Sequence, residues 1–195
     1  GKMTYALWNL EKGEIDTAAI AQSDFIVHLA GAGVAEKRWS KKRKEEIVNS
    51  RTQSSALLVK VLKEIPNKVQ AVISASAVGW YGPDKEAEKK GFVETDPSFN
   101  DFLGQTCLAW EKSIEPVTQQ GIRLVKLRIG IVLSNDGGAL KEFKKPLKFG
   151  LASILGPGKQ IISWIHIDDL CRLFDYAMEQ NKMNGSYNAV APKPV

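Results

Sequence analysis

Short apolar runs rich in β-branched residues alternate along the chain with longer stretches whose apolar positions recur at helical spacing. Phe25-Ile26-Val27-His28-Leu29 runs into the small residues Ala30-Gly31-Ala32-Gly33. A second run, 69–74, ends in Ser74-Ala75-Ser76, and a third, 124–129, passes into Gly130-Ile131-Val132-Leu133. Continuous apolar runs of this kind suit strands covered on both faces. Between them the period predicts helices over about 16–22, 40–64, 101–120, 138–149 and 167–180, with weaker strands near 4–8 and 187–190. The alternation implies an α/β fold of three layers, a doubly wound parallel sheet between helices. In such sheets ligands lie outside the carboxyl ends of the strands. That directs attention to 30–33, 74–82 and 130–133.

With 195 residues and 44% hydrophobic content, the chain is long enough for one domain spanning 1–195. Lys and Arg number 27 against 22 Asp and Glu, so the net charge is +5, which favours anionic ligands without demanding nucleic acid. Cys107 and Cys171 stand far apart, with no CxxC and no clustered His, so neither a disulfide scaffold nor a metal site is expected. No apolar run approaches the roughly 20 residues of a membrane-spanning helix, and the start lacks the layout of a signal peptide. A cytoplasmic setting is the expectation. The segment 82–91 is charged and turn-rich, and reads as a surface loop.

Arg51 carries the clearest charge signal. Ile47, Arg51, Ser54, Leu58, Val61 and Ile65 share one helix face, so a guanidinium sits in an apolar stripe. Such a charge needs a partner, either a ligand phosphate or a protein carboxylate. The basic run from Lys37 to Lys44 follows a different logic. Ser40 is a good N-cap and Glu45-Glu46 dilute the charge, so a solvated helix start is the simpler reading and nucleic acid is not expected as a partner. The segment Ser74-Ala75-Ser76-Ala77-Val78-Gly79-Trp80-Tyr81-Gly82 follows a strand and offers two hydroxyls and a phenol. A serine there can hydrogen-bond a carbonyl or alcohol, and a tyrosine can move a proton if a cation lowers its pKa. The nucleophile elbow GxSxG is absent, and His28 and His166 read as structural residues.

The chain resembles the epimerase-like atypical short-chain dehydrogenase/reductases, a family of NAD(P)-binding sugar-nucleotide epimerase-like proteins. The resemblance runs through Leu29-Ala30-Gly31, Arg38-Trp39, Ser50-Arg51, the segment from Ser74 to Gly82, Trp110-Glu111, Leu127 to Leu133, Gly137-Gly138, Trp164 to Leu170 and Asn188 to Pro192. It implies a Rossmann-like fold holding NADP, or NAD. Leu29, Ala30, Gly31 and Ser74 would lie against the cofactor, Glu46 and Arg51 would contact it from the following helix, and Val132 would sit near its nicotinamide end. Ser76 matches the serine beside the substrate carbon, and Tyr81 is the nearest phenol. The implied substrate is a nucleotide sugar or similar small polar molecule.

Three departures accompany the resemblance. The family's helical Tyr and Lys, four residues apart, correspond here to Leu103 and Cys107. A Tyr81…Lys85 spacing exists, but Gly82 and Pro83 make it a turn. No G-x-x-G-x-x-G loop precedes a helix, and the chain stops at Val195 where the family continues into a C-terminal lobe. The expectation is a fragment lacking both ends, whose 25–29 strand has an open edge. Loss of the Tyr/Lys pair also keeps open a non-catalytic NADP(H)-binding or sensing module.

Overall fold

The computed structural model describes residues 3–83, 91–147, 150 and 160–195. Lys85 and most of the 82–91 loop lie outside the described residues, as do 148–149 at the end of the fourth expected helix. In chain order the strands are β1 (Trp8–Asn9), β2 (Glu14–Ile15), β3 (Phe25–His28), β4 (Ala71–Ala77), β5 (Arg123–Ile129), β6 (Ile131–Leu133), β7 (Trp164–His166) and β8 (Gly185–Ala189). The helices are α1 (Thr17–Gln22), α2 (Lys41–Glu64), α3 (Phe102–Ile114), α4 (Gly138–Leu147) and α5 (Ile167–Glu179).

β3, β4, β5 and β8 form a parallel sheet in that order, in register from Phe25↔Ala71 through Ser76↔Arg128 to Ile129↔Ala189. Side chains alternate across it. Val72 and Leu124 pack with Leu58 and Val61 of α2 and Ile114 of α3. Ile73 and Leu127 point the other way, into Leu170, Phe174 and Ala177 of α5. This is the helix-covered parallel sheet that the alternating pattern predicts, in the Rossmann-like form that the resemblance implies, and each fully buried Leu or Ile contributes about 1.5 to 3 kcal/mol. Among the described residues β3 pairs with β4 alone, so its outer edge is open. No helix of the described residues is long and apolar enough to cross a membrane.

The differences from the sequence expectation have local causes. The expected strand over 4–8 is reduced to Trp8, which pairs with Ile15 in a two-residue antiparallel ladder outside the main sheet. The expected helix over 101–120 stays α-helical only to Ile114 and tightens to 3-10 geometry over Glu115–Gln120. Pro116 has no N–H for the α-helical ladder at that point. The run after β5 breaks at Gly130 instead of extending the strand, and β6 pairs with β7 in a separate parallel ladder.

Gly130 and Gly104 mark close backbone approaches. A Cβ on Gly104 would stand 2.2 Å from the Phe99 carbonyl oxygen, a backbone atom that cannot swing away. Gly104→Ala should therefore lower stability by about 2 kcal/mol, the strain outweighing alanine's better helix propensity. A thermal melt should show the midpoint falling by about 4 to 8 °C. An unchanged or raised midpoint would mean that the Phe99 loop yields freely.

Candidate functional site

The sheet order sets three loops side by side at the carboxyl ends of β3, β4 and β5. The first, Leu29 to Gly33, lies on α2. The Ala32 N–H donates to Ser50 Oγ at 2.9 Å, and Arg51 donates through one amino group to the carbonyls of Ala32 (3.0 Å) and Ile47 (2.9 Å). The Arg51 guanidinium also rests 4.9 Å from the centre of the Trp110 ring. Gly31 permits this contact, since a Cβ there would come within 3.0 Å of Arg51 Cζ. Among the described residues no carboxylate pairs with Arg51, and its Nε and second amino group have no hydrogen-bond partner. Burial pulls its pKa below the ordinary value, but a guanidinium stays charged throughout the physiological range. Of the two partners the sequence allowed, the protein carboxylate is absent from the described surroundings.

Glu46, one turn before Ser50, is half exposed and bound by Arg43 at 2.7 Å, which holds its carboxyl below the usual range. Arg43 is itself buried, donating to the Gly33 carbonyl and pairing with Glu36 at 3.2 Å. Leu29 is exposed at the mouth of this loop, Ala30 is half-buried, and Ser74 is buried with its hydroxyl on the Ala75 carbonyl. Val132 lies half-buried in β6, beyond the end of β5.

The second loop is anchored by a polar network that sequence reasoning did not assemble. Ser76 Oγ donates to Glu111 Oε1 at 2.7 Å. Arg128 grips both oxygens of Glu111, at 2.8 and 3.1 Å, and Ser186 Oγ donates to Oε2 at 3.1 Å. A second Arg128 branch donates to the Tyr81 hydroxyl and the Glu94 carbonyl, both at 3.0 Å. Tyr81 in turn donates to Asn188 Oδ1 at 2.6 Å, and the Asn188 N–H donates to Glu94 Oε1 at 2.8 Å. The guanidinium stacks 3.7 Å from the centre of the Trp80 ring. Glu111 and Arg128 are charged residues inside apolar segments, on α3 and β5. The inward-charge argument made for Arg51 would have found both.

This arrangement defines what the two candidate catalytic groups can offer. The Ser76 proton is committed to a carboxylate and the residue is buried, so its hydroxyl faces α3. Burial raises the Tyr81 pKa above its ordinary value despite the Arg128 charge and hydrogen bond, which act in the opposite direction. Tyr81 keeps its proton at neutral pH. Leu103 packs against Gly79, where a Cβ would meet Leu103 Cβ at 3.3 Å, and the Cys107 thiol reaches the Ala77 carbonyl at 3.7 Å. Burial, aided by the Glu111 charge, pushes that thiol up to about 11. It therefore stays protonated as well.

The profile of the NAD dependent epimerase/dehydratase family matches residues 9–190. This chain belongs to that family. An epimerase family protein of Mycobacterium bovis is 36% identical over 188 residues, which cover 96% of this chain and 61% of that protein. One of Bacillus subtilis is 35% identical over 194 residues, covering 99% of this chain and 62% of its own length. The chain thus spans about three fifths of the curated epimerase family relatives it matches. Among solved structures, a human epimerase family protein with NADPH superposes at a TM-score of 0.78 with 29% identity, over 91% of this chain and 61% of that one. A nucleoside-diphosphate sugar epimerase from Corynebacterium glutamicum gives 0.81 with 32% identity, over 97% and 38%.

Both histidines of this epimerase family chain are structural in its fold. His166 Nδ1 accepts from the Asp168 N–H at 3.2 Å and caps α5. His28 is buried in β3 with Nε2 3.1 Å from Ser54 Oγ. Ser54 already donates its proton to the Arg51 carbonyl, so Nε2 carries the hydrogen and Nδ1 is left without a partner. Burial lowers the His28 pKa from 6.5 to about 4. Between those values the unfolded chain binds a proton that the folded chain refuses, so stability falls as pH falls. At pH 5.5 this removes about 1 kcal/mol relative to pH 7.5. Urea midpoints should show that slope in the wild type and lose it in His28→Gln. An equal slope in both would place the titration elsewhere.

Proposed function

We propose that this protein binds NADP(H), NAD being the alternative, and acts as an epimerase- or reductase-like protein on a nucleotide sugar or similar small polar substrate. One observation carries the cofactor reading. Arg51 is a partly buried guanidinium at the carboxyl edge of the sheet, backed by carbonyls, with donors to spare and no carboxylate partner among the described residues. Its free N–H groups are the fork that a phosphate accepts. Gly31 lets the loop lie close against it, and exposed Leu29 with Ala30 leaves an apolar lip suited to a flat ring. These residues fit a dinucleotide. When bound, the nicotinamide would supply the carbon that gives or takes hydride.

In this reading Arg51 holds phosphate, with Glu46 on the same helix and Ser74 and Val132 along the neighbouring strands. Ser76 lies near the end of β4 and Tyr81 closes the turn that follows it. The relatives' names, one a protein solved with NADPH and one a nucleoside-diphosphate sugar epimerase, support the cofactor class and the substrate class respectively. We take residues 1–195 as one cofactor-binding domain that works in the cytoplasm on small molecules. The deciding experiment is a titration of the protein with NADPH and NADH, following nicotinamide fluorescence. Saturable binding upholds the reading, and silence with both cofactors ends it.

A second reading, a cofactor-binding or sensing module without turnover, is favoured by a specific observation. The positions where the family sets its Tyr and Lys hold Leu103 and a protonated Cys107, packed on Gly79 and Ala77. Product formation that Ser76→Ala abolishes would eliminate it.

A further inference from the structure

Trp39 and Phe102 meet across the mouth of the sheet. Trp39 comes from the loop after β3 and Phe102 opens α3, after β4. Their rings stand 5.2 Å apart at 64°, an edge-to-face pair. The Trp39 indole N–H is spent on the Val34 carbonyl at 2.8 Å, which fixes the ring plane. What remains open is ring surface, and Trp39 is 40% exposed. Lys44 sets its ammonium 4.9 Å from the centre of the Phe102 ring.

The charges around this pair are unbalanced. Glu36 and Glu46 are both taken by the buried Arg43. Among the described residues, Arg38, Lys41 and Lys44 sit in no ion pair. An exposed tryptophan alone is ordinary. A tryptophan whose polar atom is satisfied, whose orientation is locked and which stands among unpaired cations has the make-up of a ring-and-anion site.

We propose that Trp39, Phe102 and Lys44, with Arg38 and Lys41 beside them, form a binding shelf for a flat conjugated ring that carries a phosphate. Trp39 supplies the stacking face and Lys44 the charge. The shelf lies at the start of α2, about two turns before Arg51, and does not depend on the cofactor reading. Flavin mononucleotide is a suitable probe, because stacking on tryptophan quenches its emission. Binding should be saturable, should weaken as salt rises, and should persist with NADPH present at saturation.

Trp39→Ala should raise the dissociation constant about tenfold or more, as loss of one stacking platform does. Trp39→Phe should restore most of the affinity, and Lys44→Gln should weaken it while leaving the circular dichroism unchanged. Riboflavin, which has the ring without the phosphate, should bind about tenfold more weakly. The proposal is overturned if Trp39→Ala and Lys44→Gln both bind the probe as the wild type does, or if riboflavin binds equally well. Complete displacement of the probe by NADPH would also overturn it, because the ring would then occupy the cofactor's place. Probe binding without NADPH binding would uphold the shelf and refute the cofactor reading.

Discussion

Arg128→Met is expected to cost about 3 to 5 kcal/mol of folding stability, the usual consequence of removing one member of a buried ion pair. The Arg128 and Glu111 side chains are 3% and 5% exposed, so the carboxylate left behind cannot recover its hydration. Lys126 Nζ, 3.9 Å from Glu111 Oε2, offers partial compensation, but it is already held by Glu115 at 2.7 Å. The same substitution removes the Arg128 donor from the Glu94 carbonyl and from the Tyr81 hydroxyl, which keeps its bond to Asn188. Urea unfolding of the wild type, Arg128→Met, Glu111→Leu and the double variant provides the measurement. The double variant should be more stable than the two single losses sum to, because it leaves no unpaired charge. A loss under about 1 kcal/mol in Arg128→Met would show that water reaches Glu111 and that the network is not closed.

The second large effect concerns binding. Arg51→Met should weaken NADPH binding by about 1.5 to 3 kcal/mol, roughly tenfold to 150-fold, if the guanidinium meets a phosphate. Thermal stability should change little, since the substitution removes two bonds to carbonyls and no ion pair. The stem of methionine also retains the packing on Trp110. The contrast with Arg128 is informative. One arginine is saturated by protein groups and should act on stability, whereas the other is half satisfied and should act on affinity. Unchanged affinity in Arg51→Met, with a lowered melting temperature, would make Arg51 a structural residue and remove the observation on which the cofactor reading rests.

The fold was legible where the pattern was long. The runs at β3, β4 and β5 end in small residues at the carboxyl edge, and α2 carries an apolar stripe over about five turns, so the type of each element followed. What escaped was short or depended on distant partners. β7 has three residues and takes its strand geometry from pairing with β6, which no local pattern announces. α3 changed character at Pro116, a residue whose effect is readable in principle. At the site, Arg51 stood out because one charge interrupted one stripe. The Ser76–Glu111–Arg128–Tyr81 network did not, because its members are spaced across 53 residues and only the stacking of β4, β5 and α3 brings them together. Ser76 and Tyr81 were recognisable as polar groups near the ligand edge, but which way each hydroxyl points is a tertiary property.

The network also fixes when its contribution is gained along the folding path. The Tyr81–Asn188 bond closes 107 residues of chain and the Ser186–Glu111 bond closes 75. Neither can form before β8 has docked beside β5, and loops of that length carry a closure entropy that must be met first. These two contacts are therefore expected late, after the folding barrier, whereas the Arg128–Glu111 pair closes only 17 residues. Asn188→Ala should leave the refolding rate near that of the wild type and raise the unfolding rate. The bonds that β8 brings to the network should govern how long the folded chain lasts far more than how fast it forms.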